Sequence, residues 1–148
     1  MPDRPKNRRN QQRGAAMIEF ALSWSLLWAV FAGLFQFGYA FRVYNRLKTN
    51  VGNAAQFAAK MDYNTLNPTL FTDSLKNLVV YGDLTQGTNS SVVPNLTPSN
   101  VAVAVTSVNG MPRYVTISIS DYSVNAIFSS CRFNGKPRAT TAYMGNIL

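Results

Sequence analysis

The chain has 148 residues, a formal net charge of +8, no histidine and one cysteine, Cys131. That length holds one small domain and not two. The missing histidine and lone cysteine exclude intramolecular disulfides, Cys/His zinc sites and histidine-dependent base chemistry. The charge suggests nucleic acid until it is located. Arg4, Lys6, Arg8, Arg9 and Arg13 stand against Asp3 in residues 1–14, which is half of the whole excess. A basic flank on a membrane segment accounts for that cluster better than nucleic-acid binding does.

Residues 1–14 therefore read as a basic leader and residues 15–41 as a transmembrane helix. From Phe20 to Phe41 no residue is charged, and Gln36 is the one amide. At 1.5 Å per residue this run spans about 33 Å, which matches a hydrocarbon core of about 30 Å. A secretory apolar region is usually about 7–15 residues, so the run is long for a cleaved signal peptide. Val30-Phe31-Ala32 before Gly33 is still an acceptable cleavage site. The rival reading is a secreted binding module that begins near Gly33. Glu19 stands at the lip of the run, where a carboxylate is costly; at mid-helix the penalty is about 2.5–3.5 kcal/mol on insertion scales. Such a residue implies a role.

Placed on a helix, Phe20, Trp24, Trp28, Phe31, Phe35 and Tyr39 fall within an arc of about 100°. Beside them run Ala21, Ser25, Ala29, Ala32 and Gln36, a stripe of small or polar side chains. Small residues let helix backbones approach closely in lipid, so the stripe is a candidate helix-packing surface. A chance pattern on an apolar helix is the other reading.

The helical period continues beyond the apolar run. Tyr44, Leu47, Val51, Ala54, Ala58 and Met61 recur at spacings of three and four, with Arg42, Arg46, Thr49, Asn50, Asn53 and Lys60 on the other side. Residues 42–62 are thus expected to form an amphipathic continuation of the same helix, weakened at Gly52 by about 1 kcal/mol.

Gly14-Ala15-Ala16-Met17-Ile18-Glu19-Phe20-Ala21-Leu22, Phe35-Gln36-Phe37-Gly38, Tyr44 and Ala54-Ala55-Gln56-Phe57-Ala58-Ala59 together resemble the TadE-like pseudopilins of the tight-adherence (Flp) type IV pilus systems. The resemblance covers about Arg13–Lys60. It departs from the family's habit at Ser25, where proline is frequent, at Gln36, where Glu is, and at Gln56, where Arg is. The family implies a prepilin peptidase that cuts between Gly14 and Ala15, with Glu19 and Phe20 at mature positions five and six. It also implies partners: other pilin or pseudopilin subunits and the inner-membrane assembly platform. The protein would be a single-pass resident of the bacterial cytoplasmic membrane, its N-terminus cytoplasmic and its head outside, with a place in pilus assembly and cell adhesion. Cleavage would leave an α-amine on Ala15, cationic at neutral pH from an ordinary pKa of about 7.7–8.0. Glu19 would pair with that amine or a neighbour's, or would simply snorkel to the interface.

Residues 63–148 form the head, about 85–100 residues being enough for a modest core. Asn67-Pro68 reads as N-cap and first helical residue; Leu70, Phe71, Leu75, Leu78 and Val79 make an apolar face, and Gly82 ends the helix. The polar stretch 83–100 reads as a loop, a surface feature or a flap. Val101, Val103 and Val105 share one strand face; Val115, Ile117 and Ile119 share a face of the next, with Thr116, Ser118 and Ser120 turned to water. Pairing Val105 with Val115 needs an odd loop, so a three- or five-residue connection around Asn109–Met111 is expected and not a two-residue hairpin. Residues 139–144 read as a third strand, and 124–128 as a short helical turn or strand.

The expected fold class is α+β and pilin-like: a long N-terminal transmembrane and amphipathic helix, a short second helix and a small antiparallel sheet. Asp62, Asp73, Asp83 and Asp121 are spread singly, so no catalytic or metal-binding group is expected, nor any cofactor or small-molecule substrate. The function expected from these residues is that of a TadE-like minor pilin or pseudopilin, an enzyme's substrate and not an enzyme. A secreted or membrane-anchored binding module outside any filament is the alternative.

Overall fold

A run with no proline and no charge from Phe20 to Phe41, followed by an amphipathic stretch, is continuous helix-forming sequence, and helix α1 extends over Arg8–Ala58. The computed structural model describes residues 8–64, 66–85, 90–109, 111–125 and 130–145, with backbone only for residues 8–13. The chain divides within α1 into two compact units, Met1–Gly38 and Tyr39–Leu148.

In the first unit the large apolar side chains of α1 are exposed, Leu22 at 68% and Leu34 at 68% among them. Gly14–Ala58 contains a window long and apolar enough to cross a bilayer, and none of that window is buried by the chain itself. Lipid is the solvent that suits such a surface.

The second unit is built around the other half of α1. Val43, Leu47, Val51, Ala54, Ala55, Ala58 and Ala59 are buried, and Tyr44 is half-buried. This is the predicted amphipathic face, widened by Val43, Ala55 and Ala59. Helix α2 (Pro68–Tyr81) joins the same core and buries Phe71, Leu75, Val79 and Val80. Leu70, expected on that face, is 63% exposed, and Val80 takes a core place instead. Gly82 ends α2 at φ 73°, a left-handed conformation that glycine adopts without strain, and its N–H donates to Leu78 O at 3.0 Å. Asn67 stands at the cap position, but its Oδ1 accepts from Thr69 Oγ1 at 2.7 Å and not from a helix N–H.

Strands β1 (Val101–Val108), β2 (Met111–Ile119), β3 (Tyr122–Asn125), β4 (Ser130–Phe133) and β5 (Arg138–Ala142) form two antiparallel sheets, β1-β2-β5 and β3-β4. The predicted register holds: Val101 pairs with Ile119, Val103 with Ile117 and Val105 with Val115. The expected connection does not. Val108 pairs with Met111, so two residues separate the paired strands, the second of them outside the described residues. Parity is restored by a bulge, since Thr106 pairs with Tyr114 while Ser107 pairs with Pro112, so Arg113 is the extra residue. A bulge shifts register by one and returns the apolar set to the core. Asn109 takes the positive φ, 53°, that a tight hairpin requires. Pro112 lies outside the stretch Tyr114–Ser118 that β5 pairs, so its missing donor does not interrupt that ladder.

Residues 90–100 are a packed strap and not a flap, while 86–89 lie outside the described residues. Val93 and Leu96 are buried in the core, and Val92 N–H donates to Val80 O at 2.8 Å. A 3₁₀ turn, Pro98–Asn100, ends the strap; Asn100 Oδ1 accepts from Thr97 N at 3.1 Å, and Asn100 Nδ2 donates to Asp121 O at 3.0 Å. The strand predicted over 139–144 is β5, which starts one residue earlier and ends two residues earlier. Residues 124–125 fall in β3, and 126–128 lie outside the described residues. The side of the three-stranded sheet away from the core carries Thr116 and Thr140, whose hydroxyls lie 3.0 Å apart.

Candidate functional site

Gly14 and Ala15 lie in α1, both exposed. A Cβ added at Gly14 would meet nothing within 4 Å, so the glycine is not demanded by packing. Glu19 is exposed four residues beyond Ala15, about 6 Å along the axis. It makes no ion pair among the described residues. Phe20 stacks on Trp24, ring centroids 6.1 Å apart at 18°, and Trp28 meets Phe31 edge to face at 5.9 Å and 88°. Four of the six rings in the aromatic stripe read from spacing thus meet in two pairs.

The small-residue stripe lies on α1 beside it. Ser25 Oγ donates back to Ala21 O at 2.8 Å, which satisfies the hydroxyl within its own helix. Ala21, Ser25 and Ala29 are exposed, and Ala32 and Gln36 are half-buried. A cleft of 380 Å³ along the aromatic face is lined by Trp24, Leu27, Trp28 and Phe31, all apolar. Among the described residues no three His, Cys, Asp or Glu side chains come together as a metal site would require.

Sequence reasoning missed a second cluster, at the start of the head. Tyr44 of α1 contacts Phe133 of β4 with ring centroids 5.8 Å apart, and Phe133 stacks on Tyr122 of β3 at 6.2 Å and 14°. Tyr122 O–H donates to Pro94 O at 2.8 Å. Arg132 and Asp121, both exposed, pair at 2.8 Å beside these rings, and Arg46 Nη1 donates to Val92 O at 3.4 Å. The stack joins residues up to 89 positions apart, so no local pattern announces it. Its one available signal was an aromatic residue at an end of each short strand.

Burial raises the Tyr122 phenol above its ordinary pKa, and the nearby Tyr39 raises it further. Below pH about 10 folded and unfolded chains both hold this proton. Above that, the unfolded chain releases it first, so stability falls as pH rises toward the folded-state value. Tyr122→Phe removes this dependence along with one hydrogen bond worth about 0.5–1.5 kcal/mol. The expected result is a wild-type advantage in thermal midpoint at pH 7–9 that narrows above pH 10. A gap that stays constant to pH 11 would contradict it.

Residues 14–60 match the protein-family model described as TadE-like protein. No curated protein and no solved structure matches the chain. The matched stretch begins at the glycine before the Glu19-Phe20 pair and ends two residues past α1. Over Gly14–Lys60, which holds the exposed apolar span and the helix face buried in the head, the chain is similar to the TadE-like family.

Proposed function

We propose that the protein is a pilus-associated, pilin-like subunit, made as a precursor, cut between Gly14 and Ala15 by a prepilin peptidase, and used in assembling a tight-adherence pilus or a related secretion filament. The observation that carries this reading is the family match beginning at Gly14, on a helix whose first half the chain leaves unburied. In this reading residues 1–14 are a cytoplasmic leader, residues 15–41 anchor the protein once in the cytoplasmic membrane, and 42–62 join the anchor to an extracytoplasmic head. The stripe Ala21, Ser25, Ala29, Ala32 and Gln36 packs against helices of other pilin or pseudopilin subunits and of the assembly platform. Small side chains suit that contact, because between helices in lipid only close packing and hydrogen bonds supply attraction.

Processing has physical support in the same residues. Five basic side chains hold the scissile bond at an anionic cytoplasmic surface, where each Lys or Arg contributes about 1 kcal/mol. The peptide at Gly14 is helical, so cleavage requires the first turns of α1 to unwind in the protease cleft. Glycine makes that step easier by about 1 kcal/mol relative to alanine.

One intact mass of membrane-extracted protein tests the assignment. The mature chain should begin at Ala15, and Gly14→Val should accumulate uncut at full length. A Cβ at this position meets no neighbouring atom and valine is a better helix former than glycine, so loss of cutting would report on the protease and not on folding. A mature chain beginning at Gly33 would instead establish a secreted module, and a full-length chain in piliated cells would overturn the proposal.

A further inference from the structure

The apolar run ends at Phe41, and α1 continues through Arg42 and Val43 to Tyr44. One helical turn advances about 5.4 Å, so Tyr44 lies within a turn of the last lipid-suited residue. That is the depth at which amphipathic rings concentrate in membrane proteins. Tyr44 carries Phe133, Phe133 carries Tyr122, and Tyr122 is fixed by its bond to Pro94 O. The β3–β4 ribbon is thereby tied to the stretch of α1 nearest the apolar run. The corner after it stays at this end of the sheet, because Ile119 N–H donates to Pro137 O at 3.2 Å.

The charges gathered here are mostly basic. Arg42, Lys136 and Arg138 are exposed, Lys136 in the corner after β4 and Arg138 at the start of β5 opposite Ser118. Asp121 is engaged by Arg132, and Asp83 lies just past the C-terminus of α2. Three exposed cations remain beside an aromatic ledge, one turn from the end of a membrane-length helix.

We infer that this end of the head is a second membrane contact: the β3–β4 ribbon rests on the bilayer surface, and Arg42, Lys136 and Arg138 bind the phosphates of anionic lipid headgroups. The contact restricts the head's tilt and rotation about its anchor. It rests on the single-pass reading of α1 and is independent of the pilus reading. Each cation near an anionic surface shifts such an equilibrium roughly fivefold, so the three together shift it roughly 10²-fold.

The test uses the full chain with Cys131→Ser, reconstituted in vesicles of phosphatidylcholine alone or mixed with phosphatidylglycerol. Single spin labels go at Phe31→Cys in the span, Asn134→Cys beside the ribbon and Met111→Cys at the far hairpin, and collision with an aqueous nickel chelate is measured. The label at 31 should be buried in lipid, that at 111 open to water, and that at 134 shielded at headgroup depth in the anionic vesicles. Arg42→Gln, Lys136→Gln and Arg138→Gln together should return position 134 to water there, while the label at 111 is unchanged. A label at 134 as accessible as that at 111 in both lipids overturns the footing alone. Shielding that appears equally in neutral vesicles and grows with protein density means contact between copies, and overturns it too. A label at 31 in water removes anchor and footing together.

Discussion

Glu19→Ala should abolish surface pili while the protein inserts and accumulates normally. Removing a carboxylate from the lip of an apolar helix makes insertion easier, so a failure downstream of insertion cannot be charged to the membrane step. Glu19 is exposed and has no ion-pair partner among the described residues, which leaves its carboxylate available to another chain. If that partner is the new amine of Ala15 on a neighbouring subunit, both charges lose water as the subunits meet. Breaking such a pair from one side costs about 3–5 kcal/mol, because the other charge is stranded. That is roughly 10²–10³-fold or more per contact. Glu19→Gln separates charge from shape: it keeps the side chain's length and hydrogen bonding, yet should assemble no better than alanine. Sheared filaments counted by electron microscopy, beside an immunoblot of the membrane fraction, give both readings. Wild-type piliation in both variants would show that Glu19 merely reaches the interface and sets no register.

The elements legible in the sequence were those whose side chains repeat a period several times. Half of α1 announces itself by lacking charge over 22 residues, and the other half by Leu47, Val51, Ala54 and Ala58, all at or below 1% exposure. The register of β1 against β2 followed from two valine-rich alternations. The turn between them did not, although Asn109-Gly110 was in plain view. The parity argument was sound, but a bulge at Arg113 absorbs the odd residue, and bulges leave little trace in alternation. Strands β3 and β4 have four residues each, too few for a period to stand out. What fixes them is a ring stack that reaches across the chain to Tyr44. The strap at 90–97 was hidden for a related reason: Val93 and Leu96 are two apolar residues in a polar stretch, and burial of two is decided by what lies beneath them. The residues proposed for cleavage and assembly, Gly14, Ala15, Glu19 and Phe20, were read as a motif. The proposed basic footing has no sequence signal, because Arg42, Lys136 and Arg138 are scattered along the chain. Asn50 shows the same limit at one atom: placed on the polar side of α1, its Nδ2 is buried with no partner among the described residues.

The anchor and the head are joined by one helix, so the head's stability should depend on a residue of that helix far from any strand in sequence. Leu47 is fully buried, in one core with Leu75, Val79 and Ile117. Leu47→Ala should cost about 2–5 kcal/mol, the usual range for truncating a packed leucine. A domain of this size has about 5–15 kcal/mol in total, so the thermal midpoint of the head should fall by at least about 8 °C. Local helix formation is not weakened, since alanine is the better helix former. Any loss therefore measures packing between α1 and the rest of the head. Leu34→Ala supplies the comparison: the same truncation on the same helix, at a residue 68% exposed in the span, should leave the head's midpoint unchanged. Circular dichroism melts of both variants in one detergent decide the matter. Equal midpoints for wild type and Leu47→Ala would mean that the head folds without α1, and the helix would then be a tether and not part of the core.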